Sequence, residues 1–522
     1  MNHLFKHYSW PTLSAVLLFL SFPSNNLYPL AWVALIPLII QSIRVSPIQS
    51  GWYFFFAGWV FHSLLLQWLL SNIMWGGGWA VLGYQLLCIY LAAYWGLLGM
   101  AWNWIYTRNP VIGSALGMAV LWAAMEFLQG KLFTGFGWSS LGYSQSLNLP
   151  IVQWASVGGH TLISSILVFT NTVAALMLAQ SKDRFKRLAV LLIIPGALFG
   201  TGYLFVQEAD YDTEPFTALV VQPNFPLEMK WDPEYRVEMV RNTAEKTKRY
   251  NDGQITDLVV WPEALIMGSI DHPKTRGYIN DVVSSTAASL LTGAARSAGG
   301  QHYNTAYFFE KDIPAPTFYD KQKLAPFGEY VPLSEFIPFV QQVVPSIGDI
   351  HAGTEYKTFK ANSKTLGPLI CFEVLFSEMS QELKDQGAEV LVVMTNLAWF
   401  GSSNAIPQEL AIAQMRAVET RLPLIHSSNT GISGVFDPFG RFEMVRKHIN
   451  AEGVMYQLRD DAKPIDARMS RLGDRLRIAN PGVPLLKQGP RIYPLIACGI
   501  AIVFFILSII MPDVPKKKVE VK

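Results

Sequence analysis

Hydrophobic and charged residues are distributed very unevenly along this chain of 522 residues. The first 206 residues contain only ten Asp, Glu, Lys or Arg residues, and residues 45–107 contain none. A helix needs roughly 20 apolar residues to cross the hydrocarbon core of a bilayer. The long apolar runs therefore predict seven membrane spans, followed near the C-terminus by an eighth, at about 8–23, 27–43, 51–74, 79–105, 110–128, 160–180, 187–206 and 491–511.

The start of this region allows two other interpretations. The first run could be mistaken for a signal peptide, but no small-residue cleavage pattern follows it and further apolar runs continue. The first two spans are short, and the polar break at 22–26 leaves open a tight hairpin or re-entrant pair. A shift of two spans would not change which side of the membrane the polar region faces.

Basic residues fall almost entirely on one side of the predicted spans. The loops of the opposite side contain only Lys131. Because basic residues favour the cytoplasmic side, the pattern predicts that both termini are cytoplasmic and that the polar region at about 207–488 is outside the cytoplasm. The basic residues assigned to the cytoplasmic side are Lys6, Arg44, Arg108, Lys182, Arg184, Lys186, Arg187, Lys516, Lys517, Lys518 and Lys522.

The polar region alternates apolar or β-branched runs with helical patterns. Continuous apolar strands between helices indicate an α/β sandwich whose sheets are covered by helices. Alternating runs at 303–310 and 431–439 predict some antiparallel pairing. The predicted strands lie at 218–222, 258–261, 290–293, 366–371, 390–395 and 424–427, and the predicted helices at about 233–250, 272–289, 376–386 and 407–421.

Composition excludes several protein classes. With 51% hydrophobic and 15% charged residues, the chain is neither disordered nor collagen-like. The formal net charge of +2 gives no indication of a nucleic-acid partner. The three cysteines, Cys88, Cys371 and Cys498, are too widely separated for a disulfide framework or a zinc cluster, and the histidines show no metal spacing. No metal or cofactor is therefore expected.

Common catalytic motifs are absent from the sequence. It contains no G-x-S-x-G elbow, no H-E-x-x-H pair, no phosphate-binding loop and no dinucleotide-binding glycine pattern. The spacing of residues does not support a dispersed Ser-His-Asp site, which remains an alternative interpretation. His62 and His160 stand alone in apolar surroundings, and we expect each to be a hydrogen-bonded core residue.

One cysteine lies outside the predicted spans, at the end of a predicted strand. Cys371 follows an apolar run and precedes Phe372 and Glu373. Many lone cysteines are inert small hydrophobes, but residues at strand ends lie at the sheet edge where α/β sites form. Glu263 ends another apolar run, and Lys321 stands beside a compact turn. A thiol with a carboxylate base and a cation for the oxyanion would form a coherent acyl-transfer site.

The ordered combination of these segments resembles the nitrilase (carbon–nitrogen hydrolase) superfamily, with its Glu-Lys-Cys triad. With seven spans before and one after, the whole chain is similar to its membrane branch, the bacterial apolipoprotein N-acyltransferases. Supporting segments are weaker individually. The matching motifs are Trp261-Pro262-Glu263, Tyr319-Asp320-Lys321-Gln322-Lys323-Leu324-Ala325-Pro326-Phe327-Gly328-Glu329-Tyr330 and Ile370-Cys371-Phe372-Glu373, supported by Lys230-Trp231-Asp232 and Ala398-Trp399-Phe400-Gly401.

The resemblance implies a role for each matching residue. Glu263 corresponds to the general base, Lys321 to the oxyanion stabiliser and Cys371 to the nucleophile. Lys321 is preferred to Lys323, because the family's lysine lies three residues before the leucine. Glu329, Phe372 and Glu373 correspond to supporting active-site residues. Expected substrate-binding residues are Trp231, Tyr330 and Trp399, together with Gly135 and Trp138 of the 126–158 connection, which has almost no charge. The alternative interpretation of this connection is an interfacial aromatic belt.

The resemblance further implies a fold and a function. The expected fold is a multi-span helical membrane domain (1–206), a periplasmic nitrilase-like αββα sandwich (207–488) and a C-terminal span with a basic tail (489–522). The expected reaction transfers an acyl chain from a phospholipid, through a Cys371 thioester, to the α-amine of the diacylglyceryl-cysteine of an apolipoprotein. The protein would be a monomer of the bacterial inner membrane. Departures from the family pattern at Leu397, Phe372 and Glu409 affect substrate detail rather than reaction class.

Two other functions are compatible with parts of the sequence. A membrane-anchored amidase or nitrilase acting on a small amide would keep the triad, but it needs only one anchor. A transporter or receptor with an inactive nitrilase-like domain would not need Glu263, Lys321 and Cys371 together.

Overall fold

The computed structural model describes residues 2–108, 112–180, 184–206, 216–251, 253, 255–330, 350–444, 475–478 and 489–510. The chain folds into two compact units. Lys182, the expected domain boundaries at 207 and 488, and the basic tail with Lys516, Lys517, Lys518 and Lys522 lie outside the described residues. The first unit comprises Met1–Gln207, Pro407–Glu419 and Pro484–Lys522, and the second comprises Glu208–Ile406 and Thr420–Val483.

The first unit is built of helices. Helix Pro47–Leu65 shows how local sequence sets a boundary: Ser46 accepts a hydrogen bond from the Gln49 amide at 3.4 Å, and proline occupies the first helical position, where no N–H is needed. Its helices are Asn2–Ser21, Ile36–Ser42, Pro47–Leu65, Ile73–Tyr106, Ile112–Gln129, Leu149–Val152, Ala155–Gln180, Arg184–Leu204 and Gly489–Ile510, joined by residues of helix Ala405–Thr420.

Two helices in the described ranges are long and apolar enough to cross a membrane. They are Gly77–Tyr106 and Ala155–Ala179, with mean hydropathy of 1.6 and 2.0. Helices also occupy the other predicted spans, although the second is divided into the turn Tyr28–Trp32 and the helix Ile36–Ser42. The structure therefore shows an apolar unit built of helices, and the number of eight membrane spans remains a prediction.

Both isolated histidines are hydrogen-bonded, as predicted, but only His62 is a core residue, because His160 is half-buried. The ring of His62 is fully buried and lies 2.7 Å from the Gly58 carbonyl and 3.2 Å from the Ser139 hydroxyl. The backbone N–H of His160 donates to Glu419 at 2.9 Å, and its ring nitrogen lies 2.9 Å from the same carboxylate. Segment Pro407–Glu419, which the sequence places in the polar region, thus belongs to the helical unit.

The second unit contains two six-stranded sheets. The first has the order β12-β1-β2-β3-β4-β5, and the second has the order β11-β10-β9-β8-β7-β6. Pairs β1–β2, β2–β3, β7–β8 and β8–β9 are parallel, and the others are antiparallel. The strands are β1 Phe216–Val220, β2 Leu258–Val260, β3 Ser289–Ala298, β4 Gln301–Phe309, β5 Thr317–Asp320, β6 Phe359–Ala361, β7 Lys364–Ile370, β8 Val390–Thr395, β9 Leu424–Ser428, β10 Gly434–Phe436, β11 Phe442–Met444 and β12 Arg475–Ile478.

The sheets pack face to face around one apolar core. Phe308 of the first sheet stacks on Phe359 of the second, with ring centroids 5.1 Å apart. Helices Arg236–Asn251 and Pro273–Thr286 cover the outer face of the first sheet. On the second sheet, Leu383 of helix Ser377–Asp385 lies against Gly367. The architecture is the predicted αββα sandwich, and the antiparallel pairing predicted for 303–310 and 431–439 is present in β4 and β10.

Candidate active site

Three strand ends of the sandwich carry the residues predicted to form the triad. Glu263 follows β2, Lys321 follows β5 and Cys371 follows β7. The Lys321 ammonium donates a hydrogen bond of 3.2 Å to Glu263 Oε1, and the Glu373 carboxylate accepts from the N–H groups of Gln322 and Ile370, which are the chain neighbours of Lys321 and Cys371. The structure therefore brings the three predicted groups into one site.

The Lys321 side chain is almost completely buried between two carboxylates. It is 1% exposed, and it donates to Glu329 Oε1 at 3.0 Å as well as to Glu263. Burial alone would lower the pKa of Lys321, but the charges of Glu263, Glu329 and Cys371 outweigh it and raise that pKa well above the usual value. Lys321 is thus held as a permanent cation.

Asn304, in the middle of β4, holds the two carboxylates in place. Its Nδ2 donates to Glu263 Oε1 and to Glu329 Oε1, both at 2.8 Å, and its backbone carbonyl accepts from the Lys321 N–H at 2.8 Å. Sequence reasoning missed this residue. Strand pairing aligns Thr305 with Asp320, and this register sets Asn304 beside Lys321.

The backbone at Cys371 has an unusual conformation. Its φ of +50° lies in the left-handed region that non-glycine residues rarely adopt. The residue ends β7 and begins the 3₁₀ turn Cys371–Leu375. A left-handed residue at a strand end turns the chain sharply, and such strained positions recur at functional sites. Cys371 is half-buried at the edge of the core between the sheets.

Glu373 connects the ends of strands β5 and β7 beside the predicted triad. The carboxylate is fully buried; Oε1 accepts from the Tyr319 hydroxyl at 2.8 Å and from the Gln322 N–H at 2.6 Å, and Oε2 accepts from the Ile370 N–H at 2.8 Å. Burial raises the pKa of Glu373 to about 7, although these hydrogen bonds act in the opposite direction. The predicted supporting residue therefore connects the end of β5 to the end of β7.

The other predicted supporting residues lie close by. Glu329 contacts Lys321 and also accepts from the Ala325 N–H through Oε2 at 2.8 Å, which closes its own turn. Phe372 packs edge-on against Phe376 with centroids 5.5 Å apart. The carbonyl of Tyr330 accepts from the Phe327 N–H at 2.7 Å in the same turn.

The predicted substrate-binding aromatics fall into two groups. Trp231 and Trp399 pack edge to face in the second unit, with centroids 6.0 Å apart, and Trp231 is 37% exposed. Trp138 belongs to the first unit and is buried, where its indole donates to Gln408 at 2.7 Å. Gly135 is in the same unit and has a φ of +71°, a value that glycine adopts without strain.

Lys230 is a second buried lysine of this site, and sequence reasoning assigned it no role. It is 2% exposed and donates to the backbone carbonyl of Glu263 at 3.2 Å. Burial lowers its pKa to about 8, while the charge of Glu263 acts in the opposite direction. The local sequence Lys230-Trp231-Asp232 is typical of a polar surface segment, so nothing in the sequence indicates that this lysine is buried.

The arrangement is suited to nucleophilic acyl chemistry. A carboxylate can accept the thiol proton, and a permanent cation can stabilise the thiolate and the oxyanion of a tetrahedral intermediate. In the described part of the chain, no group of three or more His, Cys, Asp or Glu side chains is arranged to hold a metal ion.

Family models match both parts of the chain. Residues 14–173 match the apolipoprotein N-acyltransferase N-terminal domain, and residues 217–462 match the carbon-nitrogen hydrolase family. The apolipoprotein N-acyltransferase of Geobacter metallireducens is 31% identical over 456 residues, which are 83% of this chain and 86% of the relative. This chain belongs to the apolipoprotein N-acyltransferase family. The Pseudomonas putida member of that family is 30% identical over 436 residues, which are 80% of this chain and 83% of the relative.

Solved structures are similar to part of this acyltransferase chain. Nit3 of Saccharomyces cerevisiae, a member of the nitrilase superfamily, aligns with a TM-score of 0.35 and 16% identity, covering 44% of this chain and 84% of Nit3. A CN-hydrolase superfamily protein of Xanthomonas campestris aligns with a TM-score of 0.35 and 16% identity, covering 45% of this chain and 88% of that protein.

Proposed function

We propose that this protein transfers an acyl chain from a phospholipid to the N-terminal α-amine of the diacylglyceryl-cysteine of an apolipoprotein. Glu263 is the base, Lys321 the oxyanion stabiliser and Cys371 the nucleophile. The observation that carries the proposal is the buried Lys321 ammonium, which is bonded to Glu263 at 3.2 Å and stands on a strand end that Glu373 joins, through the N–H groups of Gln322 and Ile370, to the strand end bearing Cys371. The family's named activity supports the choice of substrates.

The first half-reaction acylates the enzyme. Glu263 accepts the proton of the Cys371 thiol, and the sulfur attacks the ester carbonyl of a phospholipid. Lys321 and backbone N–H groups near Phe372 stabilise the oxyanion of the tetrahedral intermediate. The ester C–O bond then breaks, and Glu263 returns its proton to the departing oxygen. The products are a Cys371 thioester and a lysophospholipid.

The second half-reaction transfers the acyl chain to the acceptor. The α-amine of the diacylglyceryl-cysteine attacks the thioester carbonyl, and the C–S bond breaks. Glu263 takes a proton from the amine and supplies one to the thiolate, so the enzyme is restored and an amide is formed. Water would hydrolyse the thioester, so a site that excludes water and admits acyl chains favours transfer over hydrolysis.

The remaining predicted residues have supporting roles in this proposal. Glu329 shares Asn304 and Lys321 with Glu263 and thereby fixes both of them. Glu373 holds the strand ends that carry Lys321 and Cys371 at their working separation. The pair Trp231–Trp399 and the turn residue Tyr330 contact the lipid substrates, while Gly135 and Trp138 belong to the connection at the membrane surface.

We further propose where the protein works. It is a monomeric enzyme of the bacterial inner membrane with eight spans, both termini in the cytoplasm and the catalytic domain on the periplasmic side. The asymmetry of the basic residues supports this orientation, since only Lys131 lies on the periplasmic side among short loops. Such a location gives the active site access to two lipid substrates in the outer leaflet.

A reconstituted assay tests the proposed function. Purified protein is incubated with phospholipid and a diacylglyceryl-cysteine peptide, and the peptide is analysed for N-acylation by mass spectrometry, with Cys371→Ala as the control. We expect the acylated peptide and a matching amount of lysophospholipid from the wild type alone. Turnover of small amides without acylation of the peptide would favour the membrane-anchored amidase instead.

A further inference from the structure

Lys230 lies in the candidate active site without a part in the reaction described so far. It belongs to the short helix Leu227–Trp231, and its ammonium donates a hydrogen bond of 3.2 Å to the carbonyl of Glu263. The side chain is 2% exposed. An ammonium group is seldom buried unless nearby groups compensate its charge, because burial removes its hydration.

The main chain and the carboxylate of Glu263 are held by different groups. The carboxylate accepts from the ammonium of Lys321 and from the amide of Asn304. The backbone carbonyl accepts from the ammonium of Lys230. Lys230 therefore holds the main chain of Glu263 rather than its carboxylate.

Lys230 also links Glu263 to a residue that is predicted to bind substrate. The next residue in its helix, Trp231, is the exposed partner of the Trp231–Trp399 pair. A hydrogen bond from Lys230 to Glu263 therefore joins the helix that carries this aromatic residue to the backbone of the general base. Displacement of one would be transmitted to the other.

We propose that Lys230 is a positioning residue for the acyl-transfer step, which fixes the backbone of Glu263 and thereby holds its carboxylate in place as the proton acceptor for Cys371. The inference rests on the proposed function, in which Glu263 is the base. Lys230 touches no reacting atom in this account, and its effect is exerted through Glu263.

The test compares Lys230→Met with a matched control. Lys246 also donates to a backbone carbonyl, that of Pro223, at 3.2 Å, but it contacts none of the predicted triad residues in the described structure. The maximal rate of Cys371 acylation and the phospholipid concentration that gives half of it are measured by mass spectrometry for wild type, Lys230→Met, Lys230→Arg and Lys246→Met. Thermal unfolding of each variant is recorded in the same detergent.

The expected result is a slower acylation step. Lys230→Met loses the hydrogen bond to the Glu263 carbonyl, so its maximal rate should fall about 10-fold, by more than the half-saturating phospholipid concentration rises. Lys230→Arg keeps a donor and should recover most of the rate. Lys246→Met should leave both quantities unchanged.

Two results would overturn the inference. One is a folded Lys230→Met protein whose maximal acylation rate equals that of the wild type. The other, decisive even where Lys230→Met does not fold, is a folded Lys230→Arg protein whose maximal rate falls 10-fold or more, which would show that a donor at position 230 is not what matters. Absence of a Cys371 adduct in the wild type would instead reject the proposed function, and this inference with it.

Discussion

The backbone of Gly293 lies directly against that of Glu263. An ideal Cβ on Gly293 would be 2.6 Å from Glu263 Cα and 2.5 Å from the backbone nitrogen of Ala264. The Gly293 N–H also donates to the carbonyl of Pro262 at 3.2 Å, so β3 holds the turn that carries the proposed base. Any side chain at position 293 must displace that turn and the Glu263 backbone with it.

Gly293→Ala is therefore predicted to reduce acylation strongly. Overpacking against backbone atoms costs about 1–3 kcal/mol, because the neighbouring chain must shift. We expect at least a 10-fold fall in the rate of Cys371 acylation together with a lower thermal unfolding temperature. Gly277→Ala, in helix Pro273–Thr286 with open space around the glycine, is the matched control and should be neutral or slightly stabilising. Wild-type acylation by Gly293→Ala would contradict the proposed placement of Glu263.

The two lysines of the Tyr319–Tyr330 motif should differ sharply in importance. Lys321 is buried between Glu263 and Glu329, whereas the ammonium of Lys323 lies 5.3 Å from the ring of Phe376. Lys321→Met leaves two buried carboxylates without their shared cation, so we expect acylation to fall at least 100-fold. Lys323→Met should retain activity within about threefold, since exposed cation–π contacts contribute about 1 kcal/mol or less. Equal losses in both variants, measured by single-turnover acylation, would refute the assignment of Lys321.

Glu373 predicts a pH dependence of stability. Its pKa of about 7 in the folded protein lies above the value of 4.5 expected when it is unfolded, so the folded state binds the proton more tightly. Protonation of Glu373 therefore stabilises the folded state fully below about pH 4.5, and this stabilisation is lost as the pH rises through 7. The free energy of unfolding should fall by about 3 kcal/mol over this range.

Glu373→Gln should remove this contribution. In the wild type, both carboxylate oxygens accept hydrogen bonds from backbone N–H groups. The side-chain NH₂ of a glutamine would face one of these N–H groups and leave it without an acceptor, so we expect lower stability at pH 5 as well. The measurement is thermal unfolding at pH 5 and pH 8. Glu245→Gln, at an exposed position of helix Arg236–Asn251, should behave like the wild type. A Glu373→Gln protein that retains the wild-type difference between the two pH values would show that Glu373 is not its source.

The pair Trp231–Trp399 should act as a unit in substrate binding. Their rings are packed edge to face at 6.0 Å, and such pairs contribute about 0.5–1.5 kcal/mol beyond the area that they bury. In a double-mutant cycle with Trp231→Ala and Trp399→Ala, we expect each single variant to raise KM for phospholipid more than it lowers kcat, with a coupling energy of about 1 kcal/mol. Fully additive effects would mean that the two rings bind substrate independently.

The sequence was sufficient to predict the strand ends but not the contacts across strands. Glu263 and Cys371 each end an apolar run, and Lys321 stands beside a compact turn, and these patterns are readable along continuous segments. Asn304 was not predictable in the same way, because its role comes from the pairing of β4 with β5 and from its bonds to two carboxylates that are distant in sequence. Lys230 is a lysine in a polar stretch, and its burial depends on tertiary packing.

Helix Ala405–Thr420 shows the same limit in the fold. Its alternation of apolar and polar residues is typical of a helix with one solvated face, and the sequence placed it wholly in the polar region. Arg416 and Glu419 are instead buried, and the segment Pro407–Glu419 belongs to the first unit. Their charges are satisfied by each other at 3.0 Å and by His160. A buried ion pair of this kind looks identical to a surface pair in sequence.

The most direct test of the account is the covalent state of Cys371 after exposure to phospholipid alone. The purified wild-type protein is incubated with phospholipid, digested and analysed by mass spectrometry. We predict that the peptide containing Cys371 gains one acyl chain, and that a diacylglyceryl-cysteine peptide added afterwards removes it. An unmodified Cys371, in a protein whose Cys371→Ala variant still supports lipoprotein maturation, would contradict the proposed mechanism.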